Sequence, residues 1–213
     1  MIKISPSVLA SDLSNLAAEV ADIEKAGADM VHLDVMDGMF VSNMSFGMPV
    51  IEALRKKSKM IFDVHLMIAK PERYAMRFID AGADILTFHY EACEDSAKLL
   101  DDIRASGVKA AISIKPQTPA EDIFPLLDKC DMVLVMTVEP GYGGQSFMAD
   151  MMPKVSAIKA EIKRRGLDVD IQVDGGINPE TAKLSKEAGA NVLVAGSSVF
   201  KANDRRSAID ALR

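Results

Sequence analysis

Short apolar runs alternate with longer amphipathic stretches along this chain. Eight such runs lie near residues 2–9, 30–37, 61–67, 85–91, 109–115, 132–138, 170–175 and 191–197. Each has the length of a buried β-strand. Between them, apolar positions recur at helical spacing. Leu13, Leu16, Ala17, Val20 and Ile23 do so over Leu13–Lys25. Val155, Ile158 and Ile162 do so over Met151–Arg165, where basic residues close the stretch. A junction repeats before the runs: Ala26-Gly27-Ala28-Asp29, Ala81-Gly82-Ala83-Asp84 and Ala188-Gly189-Ala190-Asn191, with Gly107 and Gly166 in similar places. Glycine after a helical stretch fits a left-handed C-cap. The period of roughly 28 residues holds one βα unit. Eight units predict an α/β protein with a parallel sheet and outer helices, and eight is the number that closes a (β/α)8 barrel. An open doubly wound sheet is the alternative, but Ser5-Pro6-Ser7-Val8 lacks the Gly-rich turn that would favour it. No linker divides residues 1–213, so a single barrel domain is expected.

Strands buried on both faces should be nearly all aliphatic. Three of the runs depart from this on one face only. Val31, Leu33 and Val35 alternate with His32, Asp34 and Met36; Phe62, Val64 and Leu66 alternate with Asp63, His65 and Met67; Ile171 and Val173 alternate with Gln172 and Asp174. If the aliphatic faces meet the helices, then His32, Asp34, His65 and Asp174 point into the barrel. They also sit toward the carboxyl ends of their strands, where barrel active sites lie. Two imidazoles and two carboxylates converging there suit a divalent cation, whose charge offsets buried anions. A buried Asp–His hydrogen-bond network without metal is the competing reading. Asp63 is placed to hydrogen-bond a ligand histidine from behind. His89 and Glu91, at the end of the fourth run, read as structural residues of the rim.

Three consecutive runs are followed by glycine-bearing turns: Glu139-Pro140-Gly141-Tyr142-Gly143-Gly144-Gln145, Asp174-Gly175-Gly176-Ile177-Asn178-Pro179 and Ala195-Gly196-Ser197-Ser198. Glycines let backbone N–H groups approach an anion closely, and the last loops of barrels often hold a phosphate. None of the three is a P-loop or a G-x-G-x-x-G turn.

Composition narrows the partners. Hydrophobic residues are 49% of the chain, enough for a large core, and the formal net charge is −6, which disfavours nucleic acid or an anionic membrane as the main partner. Aromatic residues are 5% with no Trp, too few for a base-stacking platform. Two cysteines, Cys93 and Cys130, form no Cys-x-x-Cys pair, so a reducing, cytoplasmic setting is expected. The opening segment MIKISPSVLASDLSNL lacks the apolar core of a signal peptide, and no apolar run approaches a membrane span.

The stretches Ser5-Pro6-Ser7, His32-Leu33-Asp34-Val35-Met36-Asp37-Gly38, Asp63-Val64-His65-Leu66-Met67, Val135–Gln145, Val173-Asp174-Gly175-Gly176 and Gly196-Ser197 occur in an order and spacing that resembles the ribulose-phosphate 3-epimerase family. The resemblance runs nearly end to end. It implies a (β/α)8 TIM barrel of the ribulose-phosphate-binding type and an isomerase of the pentose phosphate pathway. That enzyme would interconvert D-ribulose 5-phosphate and D-xylulose 5-phosphate by two-base proton transfer through a metal-stabilised enediolate. It implies His32, Asp34, His65 and Asp174 as metal ligands, with Asp34 and Asp174 also the acid/base pair. Ser7, His65, Gly141, Tyr142, Gly143, Gly144, Asp174, Gly175, Gly176, Gly196 and Ser197 would contact substrate. Met36, Met67 and Met136 would surround the reacting carbons, although core filling is the commoner use of Met. The family resemblance also implies a homodimer or larger homo-oligomer. One loop departs from the family pattern: Met39 and Ser42 stand in Asp37-Gly38-Met39-Phe40-Val41-Ser42-Asn43, where His and Pro are usual. A His/Asp set tolerates Zn2+, Fe2+, Mn2+ or Co2+, and the affinity order favours Zn2+ over Fe2+ or Mn2+. Rival readings are the same chemistry on allulose 6-phosphate, a Schiff-base aldolase using Lys115, and a non-catalytic sugar-phosphate binder.

Overall fold

The computed structural model describes all 213 residues. Its eight strands are β1 (Lys3–Pro6), β2 (Met30–Met36), β3 (Ile61–Met67), β4 (Ile85–His89), β5 (Lys109–Ile114), β6 (Met132–Met136), β7 (Asp170–Asp174) and β8 (Val192–Ala195). All pair in parallel in the order β1-β8-β7-β6-β5-β4-β3-β2. The two ends of that order meet at a parallel bridge between Ser7 and His32, which brings the sheet round into a barrel. The open doubly wound alternative is thereby set aside.

Helices cover the outside: α1 (Leu16–Ala26), α2 (Met48–Arg55), α3 (Ala75–Asp80), α4 (Ser96–Ala105), α5 (Met152–Arg165), α6 (Pro179–Ala188), α7 (Ser197–Phe200) and α8 (Arg205–Asp210). The crossover from β5 to β6 is instead a 3-10 segment, Ala120–Lys129, with Pro125 inside it. Proline has no N–H and its ring crowds the preceding turn, so an α-helix cannot run through that point. Two boundaries differ from the hydrophobic pattern. The first strand ends at Pro6 and turns into a 3-10 turn at Val8–Ala10. Leu13 opens a separate 3-10 turn capped by Asp12, whose side chain accepts the Ser14 N–H, and it stays exposed, as does Ala17; Val20, Ile23 and Ala26 form the buried face of α1.

The repeated junction has a mechanical role. Asp29 Oδ2 accepts the Ile4 N–H at 2.7 Å, while its own N–H donates to the Ile4 carbonyl at 3.0 Å. Asp84 does the same with Phe62, Asp131 with Ala110, and Asn191 with Ile171. Each even-numbered strand is thus clamped at its start to the odd-numbered strand before it, in one register. Such a clamp fixes which face of each strand looks inward, because a one-residue slip would exchange the faces. The glycine of the motif makes the turn: Gly189 sits at φ 116° beyond α6, and a Cβ there would come within 2.7 Å of Lys159.

The main hydrophobic core lies between the outward strand faces (Val31, Leu33, Val64, Leu66, Val133, Val135, Ile171, Val173) and the helices. Inside the barrel, residues of the opposite parity form layers. Met30, Ile85, Ala111, Met132 and Val192 plug the amino-terminal end. Above them Ser5, Asp63 and Gln172 form a polar layer. The top layer, at the carboxyl ends, carries the chemistry.

Candidate active site

The register of the strands assembles this layer. Asp34 on β2 lies beside His65 on β3, His32 beside Asp63, and Asp174 on β7 beside Met136 on β6. One ligand-capable atom from each of His32, Asp34, His65 and Asp174 lies within 4.8 Å of the others. His32 Nε2 and His65 Nδ1 are each 3.3 Å from Asp34 Oδ1 and 3.9 Å from Asp174 Oδ2. The inward parity read from the alternation is what the barrel displays.

Behind this set, Asp63 is fully buried and its Oδ2 accepts from His32 Nδ1 at 2.7 Å, Ser5 Oγ at 2.9 Å and Gln172 Nε2 at 2.6 Å. With His32 Nδ1 donating to Asp63, its Nε2 is aimed into the cluster, and that buried nitrogen has no hydrogen-bond partner. The charges in the bare site are unbalanced in the same sense. Burial drives the His32 imidazole down, but the carboxylates of Asp63 and Asp34 outweigh it and hold it protonated well above its ordinary range. Burial likewise penalises the Asp34 carboxylate, yet His32 and His65 bring it below the usual range. Asp174 is pushed up to about 7 by burial and by the Asp34 charge. Both shifts favour holding protons beside the buried, unpartnered His32 Nε2. Four hard and borderline donors in this arrangement fit a divalent cation, which would take the place of those protons.

Asp34 and Asp174 line a cavity of about 580 Å3 at the carboxyl end of the barrel. Ser7 lines it too and donates its hydroxyl to Asp34 Oδ2 at 2.5 Å. Met36, Met67 and Met136 form its apolar floor. Gly141, Tyr142, Gly143 and Gly144 form one wall, and Gly175, Gly176, Gly196 and Ser197 another. Gly176 has φ 66°, and a Cβ there would lie 2.5 Å from the Phe147 backbone nitrogen, so only glycine lets these two loops close together. His65 and His32 are fully buried and do not line the cavity, so they reach it only through the cluster.

The loop after β2 forms the mouth. Asp37 accepts the Met39 and Phe40 N–H groups at the start of the turn and the Ala69 N–H just beyond β3, and so ties the loop to the neighbouring strand end. Asn43 Nδ2 donates to the Gly141 carbonyl at 3.1 Å, and the Ser42 and Tyr142 hydroxyls lie 2.8 Å apart. Ser42 thereby ties the loop to its neighbour. Lys115 Nζ lies 3.9 Å above the Phe40 ring, outside the cavity lining, which gives the aldolase reading no support. Pattern alone did not single out Ser5, although it shares the parity of Ser7, nor Lys201 and Thr181, which line the cavity. His89 reads as a rim residue, yet it is fully buried with its Nε2 2.9 Å from that of His65; the parity it shares with Thr87 was the available signal.

A closed parallel barrel with an acid cluster and a glycine-walled cavity at the carboxyl ends of its strands defines a (β/α)8-barrel enzyme. Residues 3–200 match the model of the ribulose-phosphate 3 epimerase family. The ribulose-phosphate 3-epimerase of Bacillus subtilis (strain 168) is 47% identical over 214 residues, covering 100% of this chain and 99% of that protein. The cytoplasmic isoform of ribulose-phosphate 3-epimerase from Oryza sativa subsp. japonica is 46% identical, covering 99% of this chain and 92% of that protein. Among solved structures, a 3-hexulose-6-phosphate synthase superposes with a TM-score of 0.70 at 19% identity, covering 99% of this chain and 98% of that one, a likeness of fold. The chain belongs to the ribulose-phosphate 3-epimerase family and is an isomerase. No helix is long and apolar enough to cross a membrane.

Proposed function

We propose that this chain is a metal-dependent epimerase that interconverts D-ribulose 5-phosphate and D-xylulose 5-phosphate, working in the cytoplasm as a homo-oligomer with all 213 residues in one catalytic domain. The carrying observation is that two carboxyl groups, Asp34 and Asp174, reach one cavity from strands that stand apart around the barrel. Inversion at C3 needs a base on one face of the carbon and an acid on the other. Asp34 takes the proton on one face while Asp174 returns one on the opposite face, and the roles exchange in reverse. Ser7 holds Asp34 Oδ2 in place, so that the carboxylate presents a fixed edge to C3. The three methionines keep water from the planar intermediate, and low polarity there strengthens every charge interaction.

His32 Nε2, His65 Nδ1, Asp34 and Asp174 would hold the cation. When bound, it supplies positive charge that offsets the negative charge developing on the substrate's C2 oxygen. Zn2+ suits the two imidazoles, and Fe2+, Mn2+ or Co2+ fit the same donors. The glycine walls offer backbone N–H groups to the phosphate, with Lys201 adding one cationic side chain to a chain of net negative charge. Holding the phosphate remote from C3 orients the sugar between the two acids. The test is epimerisation of D-ribulose 5-phosphate in D2O: the product gains one deuteron at C3. Product without deuterium at C3 would refute proton transfer through solvent-exchangeable acids.

A further inference from the structure

His65 turns its Nδ1 to the candidate metal cluster and its Nε2 to a second imidazole. His89 Nε2 lies 2.9 Å from His65 Nε2, with the two rings stacked at 5.0 Å between centroids. A gap of that length between ring nitrogens holds one proton, because none leaves two lone pairs face to face and two would collide. The other nitrogen of His89, Nδ1, lies 3.3 Å from Glu91 Oε2. Glu91 Oε1 in turn accepts the Lys115 backbone N–H at 2.7 Å and the Thr118 hydroxyl. A carboxyl group given two fixed donors is built to be a carboxylate, which only accepts. The proton between His89 and Glu91 therefore belongs to His89 Nδ1. In a neutral His89 ring, Nε2 is then the acceptor and the proton in the inter-ring gap sits on His65 Nε2; once a cation replaces the proton between His65 Nδ1 and Asp34 Oδ1, which lie 3.3 Å apart, His65 Nδ1 is left with a lone pair for it.

We propose that Glu91 and His89 are positioning residues that fix the tautomer of His65, so that its Nδ1 faces the cluster as a ready donor to a divalent cation. The proposal rests on the metal reading above. It explains why the two candidate ligand histidines differ. His32 donates Nδ1–H directly to Asp63 and keeps Nε2 for the cluster. His65 is turned the other way round, and its orienting carboxylate stands one imidazole further off. Phe40 closes this relay from the mouth, its ring 4.8 Å from that of His89. That gives the loop after β2 a second task besides covering the cavity. Partners of this kind behind a metal-binding histidine are worth about 10- to 100-fold in metal affinity.

The test uses the fact that the chain has three histidines. In full-length protein labelled with 15N-histidine and loaded with diamagnetic Zn2+, long-range 1H–15N correlations assign every ring proton. The expected result is a proton on Nε2 of His65 and on Nδ1 alone of His89. A His89 ring protonated on Nε2, or on both nitrogens, overturns the proposal, and this reading needs no variant to fold. Zn2+ affinity is then measured by competition with a chromophoric chelator. Glu91→Gln and His89→Leu should each weaken Zn2+ by about tenfold or more. His89→Gln, which keeps an acceptor for His65, should recover part of that loss. Thr118→Val, which removes only an outer bond to Glu91, should stay within twofold of wild type. Wild-type uptake of Zn2+ with Glu91→Gln and His89→Leu both within twofold overturns this proposal alone. A wild-type chain that takes up no Zn2+ removes the metal reading and this proposal with it.

Discussion

Asp63→Asn isolates what a buried charge contributes beneath the active layer. Asp63 Oδ2 is the common acceptor of three buried donors, from Ser5, His32 and Gln172, while its Oδ1 has no partner. An asparagine can place its carbonyl oxygen where Oδ2 stands, so the number of acceptor contacts is kept and the charge is lost. Hydrogen bonds to an ionised group contribute about 1 kcal/mol more than neutral ones, which over three bonds gives a loss of about 3 kcal/mol. Asp63→Ala should cost more, because it strands three buried donors at about 1–3 kcal/mol each. Urea unfolding of the metal-free protein, followed by far-UV circular dichroism, reads this as a midpoint lowered by about 1–2 M for Asn and further for Ala. The same Asp63→Asn change should weaken Zn2+ about tenfold or more, since His32 loses the carboxylate that orients it. A midpoint for Asp63→Asn within about 0.3 M of wild type, or an alanine variant as stable as the asparagine one, would refute the reasoning.

Asp34→Asn and Asp174→Asn should each lower kcat for epimerisation by about 10²- to 10⁴-fold with the fold retained, and each should still exchange the C3 hydrogen of one epimer with D2O; exchange of neither or both epimers in either variant contradicts the two-face assignment. Gly176→Ala forces a Cβ against the Phe147 backbone at a φ of 66°, so it should cost about 1–3 kcal/mol in urea unfolding and raise KM more than it lowers kcat; an unchanged KM would show that this wall does not touch the phosphate. The Lys3–Asp170 pair supplies a pH test. Burial raises the Asp170 carboxyl, but its bonds from Lys3 and Asn191 outweigh that and bring it below its ordinary 3.8. A lowered folded-state value means stabilisation that is present above pH 3.8 and lost as pH falls through the lowered value. Lys3→Met should therefore cost about 0.5–1 kcal/mol at pH 7 and progressively less on acidification below 3.8, and a difference that grows there would reverse the sign of the argument.

Much of the fold was legible because a barrel strand is aliphatic outward and chemically selected inward. Alternation at His32/Asp34, Asp63/His65 and Gln172/Asp174 exposed the inward face without knowledge of strand order. The repeated Ala-Gly-Ala-Asp junction located the strands, but its clamp onto the preceding strand was not visible, since that bond pairs residues some twenty positions apart (Asp84 with Phe62, for example). The 3-10 crossover was hidden because Ile123, Leu126 and Leu127 carry helix-like spacing that Pro125 interrupts. Leu13 fits a helical stripe by spacing, yet Asp12 caps a separate turn before that stripe begins. The link from His65 to His89 was beyond reach for a different reason. Parity says which face a residue takes, whereas contact between β3 and β4 side chains depends on register and on rotamers that only packing decides.

The most direct measurement pairs elemental analysis of the purified chain with an epimerase assay before chelation, after it, and after one equivalent of Zn2+, Fe2+, Mn2+ or Co2+ is returned. The account predicts one divalent ion per chain, turnover lost with the ion and restored by its return. Full turnover of D-ribulose 5-phosphate by protein shown to be free of metal would contradict it.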